Sequence, residues 1–195
     1  MLFSEKKVPQ YLDITLNVFI AFYTLSLIYF IFYGQMYQIT PCFCSLLTTL
    51  FIKLIYKRFI DIFSPILILF IIVFTFAASY LGSSLDFYGI HHYDDLMHFS
   101  SGILTTLFAY DLFHLLNVNP VSTSFSRRLI IAFVFFFSMA VAGLWEISEF
   151  LIDDFFTANM QAGGLTDTMM DMINAFFASI ITILFYELVY KKRFK

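Results

Sequence analysis

Charge is scarce in this chain. Asp, Glu, Lys and Arg make up 13% of its 195 residues, about half the share found in a soluble domain. That excludes an ordinary soluble globular fold. Only two cysteines are present, Cys42 and Cys44. They stand two apart in a predicted helix, where such positions do not face each other. A disulfide or metal pair between them is not expected, and both read as small packing residues. The few prolines and glycines form no linker, so 1–195 reads as a single helical domain. The spans also lack the Gly/Pro interruptions that mark the broken helices of many carriers.

What the chain has is apolar bulk. Hydrophobic residues make up 61% of it, and 28 residues are Phe. Apolar runs long enough to cross a bilayer recur along it. The pattern predicts an all-α polytopic membrane protein with six spans, over about 12–33, 37–56, 63–81, 96–118, 129–152 and 168–190. The first run follows Lys6 and Lys7, as in a signal peptide, but no small-residue cleavage site follows. It reads as a retained first helix. Lys53 lies inside the second span, near an end from which it can snorkel to the headgroups. Pro41 is expected in the first turn of that helix or at a kink there.

Basic residues are missing from three of the connections. All eleven Lys and Arg fall at the chain ends, between spans two and three (with Lys53 just inside span two), or between spans four and five. The positive-inside rule then places both termini in the cytoplasm of a cell-membrane protein. The acids divide the other way. Glu5, Asp13, Asp61, Asp111 and Glu187 belong to the inner half. Asp86, Asp94, Asp95, Glu146, Glu149, Asp153, Asp154, Asp167 and Asp171 belong to the outer half, with no Lys or Arg beside them.

Three helix ends carry the outer acids at helical spacing. Asp94 and His98 are four apart, and Asp95 and His98 three apart, so either pair shares a face. Gly102 continues that face one turn deeper and permits close helix approach. Glu146, Glu149 and Asp153 form a stripe on span five. Asp167, Asp171 and Asn174 form another on span six. If the stripes face one another, they make a pocket of carboxylates and one imidazole. Packed together, such acids cannot all ionise without compensation. Proton sharing, a divalent cation or a cationic ligand are the remedies. Carboxylates with one His suit Mg²⁺, Mn²⁺, Ca²⁺ or Zn²⁺. The expected ligands are Asp94, Asp95, His98, Glu146, Glu149, Asp167 and Asp171, with Glu146 and His98 as ligands or as a general acid/base pair.

Plainer readings stand beside this one. Asp94, Asp95 and Asp167 open helices, where a carboxylate caps free N–H groups and suits the helix dipole. Asp86, Asp153 and Asp154 read as solvated, and His91 and His92 as exposed loop residues. Trp145 fits packing beside Gly143 or an interface anchor. Asp111 with His114, and Glu187 with Lys191, read as local pairs. Glu146, Glu149, His98 and Asp171 lie inside spans, where capping does not account for them. A polar network holding helices together and a functional site both remain open there.

Three segments carry a family likeness. They are Asp94-Asp95-Leu96-Met97-His98-Phe99-Ser100-Ser101-Gly102, Trp145-Glu146-Ile147-Ser148-Glu149, and Asp167-Thr168-Met169-Met170-Asp171. Together they resemble the YjdF-type integral membrane family, with its Asp-x-x-x-His-Phe-x-x-Gly, Trp-Glu-x-x-Glu and late Asp-Thr-x-x-Asp patterns. The likeness covers about the second half of the chain. It implies a polytopic membrane protein and no defined biochemistry. The last segment, with Asn174, is more distantly similar to VanZ-like proteins, which would imply a link to the cell envelope. Ala175 and Ala178 stand where those proteins tend to carry Gly.

The leading expectation is a membrane protein with an outward-facing acidic/His pocket that uses a divalent cation on a lipid-linked or envelope substrate. A proton- or cation-coupled transporter is the alternative, and a non-catalytic scaffold the second alternative. The bilayer is the expected partner, with no nucleic acid.

Overall fold

The computed structural model describes residues 8–58, 63–116, 125–156, 160–161 and 163–190. Lys6, Lys7, Glu5, Asp61 and the basic cluster Lys191, Lys192, Arg193 and Lys195 lie outside them, so the Glu187–Lys191 pair does too. The described residues contain no strand. Six helices are long and apolar enough to cross a membrane. They are α1 (Gln10–Tyr33), α2 (Met36–Arg58), α3 (Pro65–Thr75, continued by a π-helical segment Phe76–Ser84), α4 (Tyr93–Leu116), α5 (Arg127–Phe156) and α6 (Leu165–Tyr190). A short 3₁₀ turn, Phe87–Gly89, precedes α4. Most large apolar side chains point outward, among them Leu25, Phe32, Phe136 and Phe185. In a bilayer that face meets lipid, and the polar groups turn inward.

The chain forms two compact units, Met1–Tyr93 and Asp94–Lys195. In the first, Leu12, Leu16, Ile52, Tyr56, Ile68 and Ile72 form one buried cluster. Tyr23, Phe30, Cys42 and Tyr80 form another. Both cysteines are free, with Cys42 buried and Cys44 exposed. Pro41 lies inside α2, past the first turn. Its carbonyl accepts from both Ser45 Oγ (2.9 Å) and Ser79 Oγ (3.0 Å). Lys53 does more than snorkel: it bonds to Asn17 Oδ1 and faces Asp13 at 3.6 Å.

The third span starts at Pro65 because Ser64 caps it, accepting from the Leu67 N–H at 3.4 Å. A Pro in the first turn suits that geometry. The span runs past the expected residue 81 as a π-helix to Ser84. There Gly82 lies under the Tyr88 ring, and a Cβ would come within 2.4 Å of it.

The second unit holds α4, α5 and α6. Ala109, Tyr110, Val134 and Ile183 form its apolar core, with Tyr110 stacked on Tyr186 at 3.7 Å. At that end Arg127 pairs with Glu187, which also accepts from Tyr110 Oη at 3.4 Å. Glu187 therefore has partners on two other helices, Arg127 on α5 and Tyr110 on α4. Nearer the middle, α4 and α6 touch backbone to backbone. A Cβ on Gly102 would lie 2.8 Å from both the Ala175 carbonyl oxygen and Ala178 Cβ. Small residues at a crossing allow this approach. A hydroxyl layer joins the three helices beside it. Ser138 Oγ lies 2.7 Å from Thr105 Oγ1 and 2.8 Å from Ser179 Oγ, and Thr106 donates to the Gly102 carbonyl at 2.7 Å. In place of lipid-like packing, every hydroxyl here has a partner, which suits a medium without water.

Candidate metal centre

One turn above Gly102 on α4 sits His98, 7% exposed. The close α4–α6 crossing turns its ring toward α6, and carboxylates surround it. Nε2 lies 3.5 Å from Asp94 Oδ1 on its own helix and 3.8 Å from Asp171 Oδ2 on α6. Nδ1 lies 3.6 Å from Glu146 Oε1 on α5. All three distances exceed the 2.7–3.2 Å typical of a hydrogen bond.

Glu146 and Glu149 dominate the buried face of α5. Val134 and Ser138 are its only other buried residues, while Leu144, Trp145, Ile147, Phe150 and Leu151 face outward. The helix thus hides two carboxylates and exposes its apolar surface. Glu149 is oriented by its own helix: the Trp145 indole N–H donates to Oε1 at 2.7 Å. Trp145 therefore has a polar role besides packing. Spacing i, i+4 is a signal from which that contact was readable.

Two sets of potential ligands result. Asp94, His98 and Asp171 offer atoms within 4.8 Å of one another, and so do His98, Glu146 and Glu149. His98 belongs to both. Glu146 and Asp171 are 5% and 2% exposed. The Glu146 Oε2 and Asp171 Oδ2 atoms are buried and have no hydrogen-bond partner. No Lys or Arg occurs anywhere between Arg128 and Lys191 in the sequence, or between Arg58 and Arg127. Taking a carboxylate out of water costs several kcal/mol unless it is compensated. Chemically, such an arrangement holds a cation, shares a proton, or does both.

The remaining expected ligands are placed elsewhere. Asp95 accepts from Asn174 Nδ2 at 2.8 Å, which ties α4 to α6 beside the two sets. Asp167 is half-buried at the start of α6 and belongs to neither set. Asp86, Asp154, His91 and His92 are exposed, in line with the solvated reading. Asp153 differs. α5 runs on to Phe156, so this residue is helical and half-buried. Its carboxylate accepts from the backbone N–H groups of Met160 (2.6 Å) and Gln161 (2.8 Å). Gln161 in turn donates to Thr168 Oγ1 at 2.8 Å and to the Glu146 carbonyl at 3.4 Å. Asp153 thereby ties Met160 and Gln161 to the end of α5. No helical spacing signals a contact with loop backbone.

No curated protein and no solved structure matches the chain. A family of predicted membrane proteins does, over residues 15–192. The match takes in the first three spans, beyond the reach of the motif likeness, and agrees with the YjdF-type reading. It does not bear on the VanZ-like one. The chain belongs to this family, DUF2238.

Proposed function

We propose that the unit Asp94–Lys195 binds a divalent cation at His98, and that the ion serves chemistry on a lipid-linked or envelope substrate at the outer face. The observation that carries this reading is the pair of orphaned buried oxygens, Glu146 Oε2 and Asp171 Oδ2, beside an imidazole and far in sequence from any cation. The spacing supports it. An ion with bonds of about 2.0–2.2 Å holds its ligands roughly 3–4 Å apart, and the three His98–carboxylate distances are 3.5, 3.6 and 3.8 Å. Hydrogen bonding would draw them closer. A cation held here activates water or clamps a phosphate oxygen. Helix bundles commonly build metal sites from inward Glu and His on separate helices.

The test is metal analysis of tag-free protein purified in detergent. Bound divalent metal is expected, and less of it in Glu146→Gln and in His98→Ala. No bound divalent metal at any pH would sink the reading. A proton- or cation-coupled carrier is the second reading. It is favoured by the polar groups at three levels of the same unit: the His98 site, the hydroxyl layer and the Tyr110–Glu187–Arg127 cluster. Proteoliposome flux that depends on Asp111 as well as Glu146 would select it.

A further inference from the structure

We infer that the site holds two cations, one on each side of the His98 ring. The inference rests on the cation reading above and goes beyond it in number and arrangement. The two ring nitrogens point away from each other, so a single ion cannot take both. Each nonetheless faces carboxylates. Nε2 faces Asp94 and Asp171, and Nδ1 faces Glu146, with Glu149 completing that set.

The usual alternative for the second nitrogen is an N–H donated to a carboxylate, which fixes the ring while the first nitrogen binds metal. The distances do not mark out either nitrogen as that donor. On the Nε2 side they are 3.5 and 3.8 Å, as open as the 3.6 Å on the Nδ1 side. The orphaned oxygens are also divided. Asp171 Oδ2 is the atom 3.8 Å from Nε2, and Glu146 Oε2 is the second oxygen of the carboxylate that faces Nδ1. Each side therefore has its own buried acceptor without a donor.

Charge points the same way. The buried acids Glu146, Glu149 and Asp171 bring three negative charges, and the side chain of Asp94 is 38% exposed. One divalent ion with a neutral imidazole leaves the buried set at −1. A second ion displaces the remaining ring proton to solvent, and the bridging imidazolate then brings the set to zero. Counting Asp94 lowers both totals by one and keeps their order. Nearby metal ions deprotonate ligands in this way.

The experiment is a Mn²⁺ titration of chelator-stripped, tag-free protein in detergent, read by elemental analysis and electron paramagnetic resonance. Two Mn²⁺ per chain are expected, with the isolated-ion signal broadened by coupling between the pair. Glu149→Gln and Asp94→Asn should each retain one Mn²⁺ and recover the isolated-ion signal. One Mn²⁺ per chain in the unaltered protein overturns the pair and leaves the single-cation reading standing. None overturns both. A variant that loses both ions while keeping the unaltered protein's unfolding temperature without metal overturns the one-per-side assignment. Should either variant fail to fold, the stoichiometry of the unaltered protein still decides.

Discussion

Glu146 Oε1 on α5 lies 3.6 Å from His98 Nδ1 on α4, and both side chains are buried in a helical unit that faces lipid. The second oxygen of that glutamate has no partner. A buried charge left in this state destabilises the fold that contains it, unless something binds it.

Replacing Glu146 therefore has opposite effects with and without cation. In chelator, Glu146→Gln relieves the repulsion between Glu146 and its neighbours Glu149 and Asp171 and is expected to raise stability by about 1 kcal/mol, the worth of one pKa unit of interaction. With excess Mn²⁺ the order reverses. Each bound ion adds about 2.7 kcal/mol at a concentration one hundred times its dissociation constant, and the variant, without the carboxylate that faces Nδ1, keeps at most one of them. Thermal unfolding in detergent under both conditions checks this. A variant less stable in both would refute it.

Cation affinity should fall as pH falls. Carboxylates and imidazole bind metal only after losing their protons, so protons compete with the ion and metal binding releases them. Isothermal titration in buffers of different ionisation enthalpy measures that release. Binding that strengthens toward acid would contradict it.

Trp145→Phe keeps an aromatic ring on the lipid-facing side of α5 and removes the N–H that holds Glu149. The expected outcome is a 10–100-fold loss of cation affinity, typical of removing a group that orients a ligand, with little change in unfolding temperature without metal. Affinity equal to that of the unaltered protein would assign Trp145 to packing alone.

Gly102→Val drives a side chain into the Ala175 carbonyl and Ala178 Cβ. Overpacking of this kind costs about 1–3 kcal/mol. Because His98 lies one turn away, the α4–α6 displacement should also weaken cation binding, whereas Ser138→Ala, in the hydroxyl layer beside it, should cost about 1 kcal/mol and leave binding intact. Parallel melts and Mn²⁺ titrations separate the two.

Orientation is tested without purification. Reporter fusions after His91 and after Met160 should report an extracytoplasmic position, as the distribution of Lys and Arg requires. A cytoplasmic signal at either site would invert the topology and place the His98 site on the inner face.

The class of the fold was legible because a bilayer imposes a long apolar run on each span, and the chain writes six of them. Boundaries were less so. Ser64 and Pro65 mark the start of α3 in local sequence, but no local signal marks the π-helical extension to Ser84, where Gly82 packs under the Tyr88 ring. α5 passes the expected residue 152, since two consecutive acids look like loop in a linear reading, yet Asp153 stays helical and binds the backbone N–H groups of the loop beyond.

The site divides along the same line. Residue types and 3.6-residue periodicity fixed which acids share a face of one helix: Asp94 with His98, Glu146 with Glu149, Asp171 with Asn174. Periodicity says nothing of how far one helix is rotated against another. That rotation depends on the close approach of Gly102 to Ala175 and Ala178. Only there was it decided that Asp94, Glu146, Glu149 and Asp171 surround His98, while Asp95 turns to Asn174 and Asp167 joins neither set. The sequence alone determined a membrane protein with unpartnered acids on one side; the packing of small residues determined which of those acids meet.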